Sequence, residues 1–180
     1  VNDDMKNVDD IRTRANNYMQ LEEPYAGETT VLHFLEVLRD RIGFDTLKEK
    51  VTAPLTGKNI GAYYGCLLLR PSGLLEFDDP ENPAIIEDFI RAIGAEPVIY
   101  PYRNECCGGY ISLKEKEMSK TMSDKIMDSA SGFGADMLIT ACPLCLYNLN
   151  KSTSGSKLPV FYFTELLAEA LGVKEEAAKA

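Results

Sequence analysis

The chain has 180 residues, of which 45% are hydrophobic, a size and composition that suit a single buried core. Its 19 basic and 28 acidic residues give a formal net charge of −9, so the sequence lacks the basic footprint of a nucleic-acid-binding protein. No apolar run approaches the roughly 20 residues of a membrane-spanning helix, and no secretory leader opens the sequence. We therefore expect a cytoplasmic protein with no membrane span.

Residues 1–55 are predicted to form a helical connecting segment. A helical period beginning at Val1 predicts an opening helix to about Leu21, and a second helix is predicted over Thr30–Ile42, with Thr29 or Thr30 as its N-cap and Gly43 at its end. The sequence starts inside the first helical pattern without an initiator methionine. This start predicts a fragment, although a removed methionine or an altered numbering would give the same sequence.

Residues 56–173 are predicted to form an α/β domain, and residues 174–180 a frayed tail. Apolar runs predict buried strands at Ile60–Tyr64, Pro97–Tyr100, Met137–Ala141 and Pro159–Phe163. Helix-like segments are predicted at Pro83–Ile93, Leu113–Ala130, from Pro143 onward and at Thr164–Leu171. Strands that alternate with helices predict an open, parallel sheet of about four strands with flanking helices.

Five cysteines follow three of these predicted strands. Cys66 follows the first strand, Cys106 and Cys107 follow the second, and Cys142 and Cys145 follow the third. The carboxyl ends of parallel strands meet at one edge of the sheet, where ligands bind in open α/β folds, so we expect the five sulfurs to converge there. Thiolates are soft ligands suited to iron–sulfur clusters or zinc, and an odd number of cysteines cannot be used up in internal disulfides.

The local spacing of the cysteines also favours a metal. The Cα atoms of Cys106 and Cys107 are about 3.8 Å apart, less than the roughly 4.4–6.8 Å of a relaxed disulfide. Both thiolates can instead turn toward a cluster of several metal ions, and the two glycines that follow allow a close backbone approach. Cys142 and Cys145 lie three apart at a predicted helix start, where both sulfurs share a face and the helix terminus stabilises a thiolate.

Three other interpretations of the cysteines compete with an iron–sulfur cluster. A structural zinc module would use four thiolates and leave one cysteine over, although zinc can also replace a cluster in protein made in air. A thiol–disulfide oxidoreductase would need only Cys142 and Cys145. The closely spaced cysteine run of bacterial ferredoxins is absent from the sequence, which disfavours a cubane electron carrier.

The other polar residues that attract attention are predicted to be structural. His33, the only histidine, is expected to pack or to cap a helix rather than to bind a metal. Asp78-Asp79 is typical of a turn, and Asp9-Asp10 of a solvated helix face. Local packing is favoured over contact with a substrate or cluster for four residues near the cysteines, namely Arg70, Tyr63, Tyr64 and Tyr110.

The cysteine pattern and several short motifs together resemble a known family. The pattern is Cys, 39 residues, Cys-Cys, 34 residues, Cys-x-x-Cys, with Gly108-Gly109 after the vicinal pair. Further matching segments are Tyr63–Cys66, Arg70-Pro71, Phe77–Glu81, Gly94–Val98 and Tyr162–Leu167. Over nearly the whole chain, the sequence resembles the C-terminal cysteine-rich CCG domain of the heterodisulfide reductase B subunit or a close relative.

This resemblance implies a cofactor and its ligands. In that family each repeat holds a noncubane [4Fe–4S] cluster through five cysteines, which correspond here to Cys66, Cys106, Cys107, Cys142 and Cys145. The cluster itself is the reaction centre, so no separate catalytic residue is assigned. The resemblance implies an oxidoreductase subunit that reduces a small-molecule disulfide.

The resemblance also implies partners, because the proteins of this family usually carry two repeats and this chain has one. The expected partners are the N-terminal CCG repeat that the chain lacks and the other redox subunits of a heterodisulfide reductase-like complex. The single domain is not expected to have full activity alone. Similar repeats occur in glycolate oxidase, lactate utilisation and glycerol-3-phosphate dehydrogenase assemblies, so an electron-relay subunit of a dehydrogenase complex is an alternative function.

Overall fold

A sheet of four parallel strands forms the centre of the computed structural model, which describes residues 2–152, 154–155 and 157–177. The strands are β1 Asn59–Tyr63, β2 Glu96–Val98, β3 Met137–Thr140 and β4 Val160–Tyr162, in the spatial order β2-β1-β3-β4. Ile60 of β1 lies opposite Pro97 of β2 on one side and Met137 of β3 on the other. The predicted parallel α/β sheet is confirmed, and the three strands that precede the cysteines are neighbours.

Helices flank this sheet and precede it, as expected. In chain order they are α1 Asn2–Asn7, α2 Asp9–Met19, α3 Phe34–Glu36, α4 Phe44–Lys50, α5 Ser72–Leu75, α6 Ile85–Ala92, α7 Lys116–Gly132, α8 Pro143–Ser152, α9 Phe163–Ala170 and α10 Lys174–Ala177. A π-helix over Val37–Ile42 continues α3, and a 3-10 turn covers Gly109–Ile111. The helix α10 lies in the predicted frayed tail, whose residues 178–180 are outside the described residues.

The predicted N-terminal helices differ from the observed ones in two places. The opening helix is broken at Val8, whose backbone is extended. The second helix begins at Phe34 rather than Thr30, so the predicted N-cap at Thr29 or Thr30 is wrong. His33 is the cap: its Nδ1 accepts a hydrogen bond from the Leu35 N–H (3.1 Å), while the Glu36 carboxylate accepts one from the His33 N–H (2.6 Å). This reciprocal capping box fixes the helix start and confirms the capping role expected for the histidine.

The two faces of the sheet bury different sets of side chains, because successive residues of a strand point to opposite faces. On one face Ile60, Ala62 and Ile139 pack with Phe89 of α6 and Phe163 of α9; we call this cluster the apolar core. Leu35, Leu38 and Leu47 also belong to it, so the N-terminal segment contributes to the same core. The proposed domain division at residue 55 stays a prediction.

The opposite face packs against α7 and α8. Its buried cluster includes Tyr63 of β1, Leu138 of β3 and Ile126 of α7, together with the sulfur-bearing side chains of Cys107 and Cys145. We call this cluster the sulfur-containing core. The fold therefore places two of the five cysteines inside a core rather than on the surface.

Candidate metal centre

The five cysteines meet at the carboxyl edge of the sheet. Four lie in the loops that follow β1, β2 and β3, and Cys145 lies in the first turn of α8. All five line one small cavity of about 20 Å³, together with apolar side chains such as Leu67, Leu68 and Leu144. Cys107 and Cys145 are buried, and the other three cysteines are half-buried. The structure thus brings the sulfurs together where the sequence predicts, and their role as metal ligands stays a prediction.

The sulfurs lie in two contact groups around the cavity. Cys107 Sγ lies 3.7 Å from Cys145 Sγ, which also interacts with the Cys142 thiol, while Cys66 interacts with Cys106. All five are free cysteines. Within the described ranges, no group of three or more His, Cys, Asp or Glu side chains is already arranged to hold a metal ion.

Hydrogen bonds between these thiols give them different pKa values. The hydrogen bond between Cys107 and Cys145 lowers the pKa of Cys107 to about 6, and a second bond between Cys142 and Cys145 lowers the pKa of Cys142 to about 6. The same two bonds raise the pKa of Cys145 itself. The backbone N–H groups of Leu144 and Cys145 also stabilise the Cys142 thiolate, as expected at the start of a helix.

Cys66 has the opposite character. Burial raises the pKa of this thiol to about 11, and its hydrogen bond with Cys106 acts in the same direction. The site therefore combines two thiols whose pKa values are lowered, Cys107 and Cys142, with one, Cys66, whose pKa is raised. Because the thiolate is the metal-binding form, metal binding at this site would release protons.

Two glycines allow the cysteine loops to approach their neighbours closely. Gly65, with φ +67°, lies where a Cβ atom would come within 2.9 Å of Cys145 Sγ. Gly108, with φ +79°, lies where a Cβ would come within 2.8 Å of the Ser119 Cα in α7. The close approach predicted for the glycine after the vicinal pair is confirmed, and the neighbour it approaches is the backbone of α7.

Two tyrosine hydroxyls fix cysteine loops by donating hydrogen bonds to the backbone carbonyl of the residue that precedes a cysteine. Tyr63 donates to the Glu105 carbonyl (2.8 Å), which precedes Cys106, and Tyr162 donates to the Ala141 carbonyl (2.9 Å), which precedes Cys142. The structural role predicted for Tyr63 is confirmed. The role of Tyr162 was not predicted. Its position at the end of β4, the strand beside β3, could have shown that its side chain lies near the loop that carries Cys142.

A buried ion pair fixes the loop between β2 and the vicinal cysteines. The Glu87 carboxylate of α6, 2% exposed, lies 3.1 Å from Arg103 Nε and also accepts a hydrogen bond from the Tyr64 hydroxyl. Burial raises the pKa of Glu87, and the Arg103 charge opposes that rise. The Arg103 carbonyl accepts from the Tyr64 N–H (2.8 Å), so the loop is tied to both β1 and α6. A glutamate among the isoleucines of an apolar helix was the sequence signal for this pair.

A second polar network lies beneath the vicinal cysteines. Asn148 of α8 and Ser119 and Ser123 of α7 are all buried, and two of them bind the Cys107 carbonyl. These residues were not predicted from the sequence either. Asn148 continues the three-residue spacing of Cys142 and Cys145 along one face of α8, a signal that could have revealed it.

The remaining polar residues have the structural roles that the sequence predicts. Asp78 Oδ2 accepts hydrogen bonds from the Ala84 and Ile85 N–H groups (2.8 Å each) at the start of α6. The Arg70 guanidinium lies 3.0 Å from the Glu81 carboxylate, and Asp10 pairs with Arg14 at 2.9 Å on an exposed helix face. Asp9 likewise pairs with Arg12. Tyr110 differs from the buried Tyr63 and Tyr64, because it lines the cavity and is 69% exposed.

The chemistry of this cavity fits a soft-metal cluster. All of its sulfur atoms come from thiols, two of which have lowered pKa values, and the rest of its lining is largely apolar. The absence of a side chain at Gly65 permits the loop after β1 to reach Cys145. In the part of the chain that the structure describes, no helix is both long enough and apolar enough to cross a membrane.

Comparisons with known proteins agree with this geometry. The chain is 31% identical over 157 residues to the 8-methylmenaquinol:fumarate reductase membrane anchor subunit of Wolinella succinogenes, a match covering 83% of this chain and 55% of that protein. It is 29% identical over 158 residues to the B subunit of the ferredoxin:CoB-CoM heterodisulfide reductase of Methanosarcina mazei, covering 82% of this chain and 52% of that protein. A match to the B subunit of the ferredoxin/F(420)H(2)-dependent CoB-CoM heterodisulfide reductase of Methanosarcina acetivorans is 27% identical over 182 residues, covering 95% of this chain and 60% of that protein. The chain thus spans little more than half the length of these curated relatives.

The family comparison covers the site itself. The model of the cysteine-rich CCG domain matches residues 60–150, which include all five cysteines of the cavity and three of the four strands. Because this match extends over half of the chain and over the whole of the sulfur-lined site, the chain belongs to the cysteine-rich CCG domain family.

Proposed function

We propose that this chain is an iron–sulfur redox domain that binds one noncubane [4Fe–4S] cluster. The proposed ligands are Cys66, Cys106, Cys107, Cys142 and Cys145. The observation that carries the proposal is that these five free thiols line a single cavity at the carboxyl edge of the sheet. A vicinal pair suits a cluster of several metal ions, whereas one tetrahedral zinc ion uses only four ligands.

The residues around the cavity have defined parts in this proposal. Cys107 and Cys142, whose pKa values are lowered, lose their protons more readily than Cys66 and so favour binding of a metal. Leu67, Leu68 and Leu144 limit water in the cavity, and its open mouth beside Tyr110 provides access for a substrate. When bound, the cluster supplies electrons and Lewis-acidic iron for cleaving a sulfur–sulfur bond.

The proposed reaction is reduction of a small-molecule disulfide. Two electrons and two protons convert one disulfide into two thiols, and a partner redox subunit delivers the electrons. Support comes from the similarity to proteins named as B subunits of heterodisulfide reductases. The proposed partners are a second CCG domain, corresponding to the length of the relatives that this chain does not span, and further redox subunits.

An electron-relay subunit is the second candidate function. One specific observation favours it: a relative 31% identical to this chain is named as a subunit of a fumarate reductase. In that case the chain would hold the same cluster and pass electrons to a partner without cleaving a disulfide itself. The two functions share the cofactor and differ in the acceptor.

Anaerobic reconstitution tests the cofactor. Incubation of the reduced protein with iron and sulfide should load about four irons and four sulfides per chain, and serine variants of each cysteine should load less. An Asn150→Leu variant is the control, because Asn150 is exposed on α8 and its amide donates to the Val160 carbonyl, at 3.5 Å, rather than to a cysteine loop. Uptake of a single zinc ion, without uptake of iron and sulfide, would contradict the cluster and favour a structural zinc site.

A reductant-dependent cleavage assay separates the two functions. The reconstituted chain is combined with a second CCG domain and assayed with candidate disulfides, with the metal-free mixture as the control. Thiol release that depends on the cluster supports disulfide reduction. Retention of the cluster with no thiol release, but with electron transfer to a dehydrogenase partner, favours the relay function.

A further inference from the structure

Three polar side chains are buried together beside the vicinal cysteines. None of them lines the cavity, although Asn148 also forms a hydrogen bond with the Cys107 thiol. Asn148 of α8 is 1% exposed, and Ser119 and Ser123 of α7 are equally inaccessible. Buried polar groups destabilise a fold unless they are hydrogen-bonded, so their partners indicate why they are there.

Two of these side chains bind the same backbone oxygen. Asn148 Nδ2 donates to the Cys107 carbonyl at 2.7 Å, and Ser123 Oγ donates to that carbonyl at 3.0 Å. Ser119 binds Asn148 instead: its hydroxyl donates to Asn148 Oδ1 at 3.3 Å. The network therefore anchors the peptide unit between Cys107 and Gly108 to both α7 and α8.

The other end of that peptide unit faces the site. A planar trans peptide directs its carbonyl oxygen and its N–H in opposite directions. The oxygen of this unit is held between the two helices, and its N–H, which belongs to Gly108, donates to Cys106 Sγ at 3.4 Å. Fixing the oxygen therefore aims the N–H at the sulfur of a proposed ligand.

Hydrogen bonds to ligand sulfurs are one of the factors that set the reduction potential of an iron–sulfur cluster. A donor near a thiolate sulfur stabilises the more negative, reduced state and makes the potential more positive. We propose that Asn148, assisted by Ser123, is a positioning residue that holds the Gly108 N–H against Cys106 Sγ and so raises the reduction potential of the cluster. This inference rests on the proposed cluster, and it assigns Asn148 no contact with a substrate.

The first test is a redox titration of reconstituted protein followed by electron paramagnetic resonance. Asn148→Leu should keep its iron and shift the midpoint potential to a more negative value. Ser123→Ala, which removes one of the two donors to the Cys107 carbonyl, should give a smaller shift in the same direction. Ser119→Ala, which touches only Asn148 in this network, should give the smallest shift, and Asn150→Leu is the control, with no shift expected.

The second test uses the metal-free protein, so that it is independent of the cluster. Amide hydrogen exchange at Gly108 should be faster in Asn148→Leu than in the wild type, and unchanged in Asn150→Leu. If wild-type protein takes up no iron, the proposed function fails, while the exchange measurement still tests the positioning of this peptide. If Asn148→Leu does not fold, Ser123→Ala carries both tests. Unchanged potentials in loaded variants, or unchanged Gly108 exchange, would overturn the positioning role.

Discussion

The two faces of the sheet are built from the same strands and serve different purposes. The apolar core packs aliphatic and aromatic side chains against α6 and α9, with the Glu87–Arg103 ion pair near its edge. The sulfur-containing core packs against α7 and α8 and includes two thiols and a polar network. The first face therefore has the composition of an ordinary hydrophobic core. The second contains polar and sulfur-bearing side chains in place of some apolar ones, and these position the cysteines.

This difference predicts that some substitutions lower the stability of the fold without affecting metal binding, and that others do the reverse. Most residues of the apolar core, Phe89 among them, do not line the cavity, so their loss should affect unfolding first. None of the cysteines belongs to the apolar core, although Cys107 and Cys145 are buried in the sulfur-containing core. Their loss should therefore affect metal binding before it unfolds the protein. The predictions that follow test this separation, from the largest expected effect on stability to the smallest.

Phe89→Ala should produce the largest loss. Phe89 is fully buried in the apolar core and packs edge-to-face with Phe163, with ring centroids 5.7 Å apart. Its truncation leaves a cavity and should lower the free energy of unfolding by about 3–5 kcal/mol, measured by denaturant titration of metal-free protein. Phe133→Ala is the control, because Phe133 is 59% exposed and should have a small effect. Equal effects of the two variants would contradict the location of the core.

Gly65→Ala should have a smaller effect on stability and a clear effect on the site. Alanine would adopt a positive φ there and bring its Cβ within 2.9 Å of Cys145 Sγ, which should lower the free energy of unfolding by about 1–3 kcal/mol and reduce iron uptake. Gly57→Ala is a matched control, because Gly57 also has a positive φ but has no neighbour within 4 Å of the added Cβ. Equal iron uptake by the two variants would show that the close approach at Gly65 is not needed for the site.

Replacing both Cys106 and Cys107 by serine should abolish iron binding while leaving the fold intact. The apolar core contains neither residue, and only Cys107 is buried in the sulfur-containing core, so the free energy of unfolding of the metal-free protein should fall by about 1–2 kcal/mol. Circular dichroism, denaturant titration and iron analysis of the same preparation check this. Global unfolding of the double variant would mean that the cysteine loops hold the fold together, as the ligands of a zinc finger do.

Protonation of His33 in mild acid should cause the smallest loss. Burial lowers the pKa of His33, so the folded protein binds a proton less readily than the unfolded chain, whose histidine titrates near 6.5. The stabilisation is complete above that value and is lost as the pH falls toward the lower pKa of the folded state, because a protonated Nδ1 no longer accepts the Leu35 N–H.

Thermal unfolding between pH 8 and pH 5.5 checks this, with His33→Asn as the comparison. Asparagine is a good N-cap residue and does not titrate in this range, so the variant should lose less stability on acidification. The thiolates of Cys107 and Cys142 contribute in the same direction in both proteins, and the difference between them isolates the histidine. Identical pH profiles would show that the cap of α3 does not depend on the protonation of His33.

Much of the fold and the location of the site follow from the sequence pattern. Apolar runs at Ile60–Tyr64 and Met137–Ala141 predict strands within one residue of their observed ends, because buried parallel strands need continuous hydrophobic residues. Cys66 and Cys142 come within two residues of the ends of these runs, and Cys106 and Cys107 follow the neighbouring strand β2 after a loop. The rule that parallel strands end at one edge therefore brings the three groups together.

The parts that could not be predicted depend on contacts between segments distant in sequence. Glu87 meets Arg103, and Asn148 meets the Cys107 carbonyl, only after α6 and α8 have packed on the sheet. The start of α3 was misplaced because threonine is a better N-cap than histidine by intrinsic preference, while the Glu36 capping partner and the burial of His33 favour the later start. The reciprocal hydrogen bonds between His33 and Glu36 therefore decide where α3 starts. The packing of α6 and α8 on the sheet decides the other two contacts.

The most direct test of the central claim is a crystal structure of anaerobically reconstituted protein, with iron located by anomalous scattering. The proposal predicts one iron cluster in the cavity beside Tyr110, bonded to the sulfurs of all five cysteines. A single zinc ion held by four of the sulfurs, or iron bound outside this cavity, would contradict it.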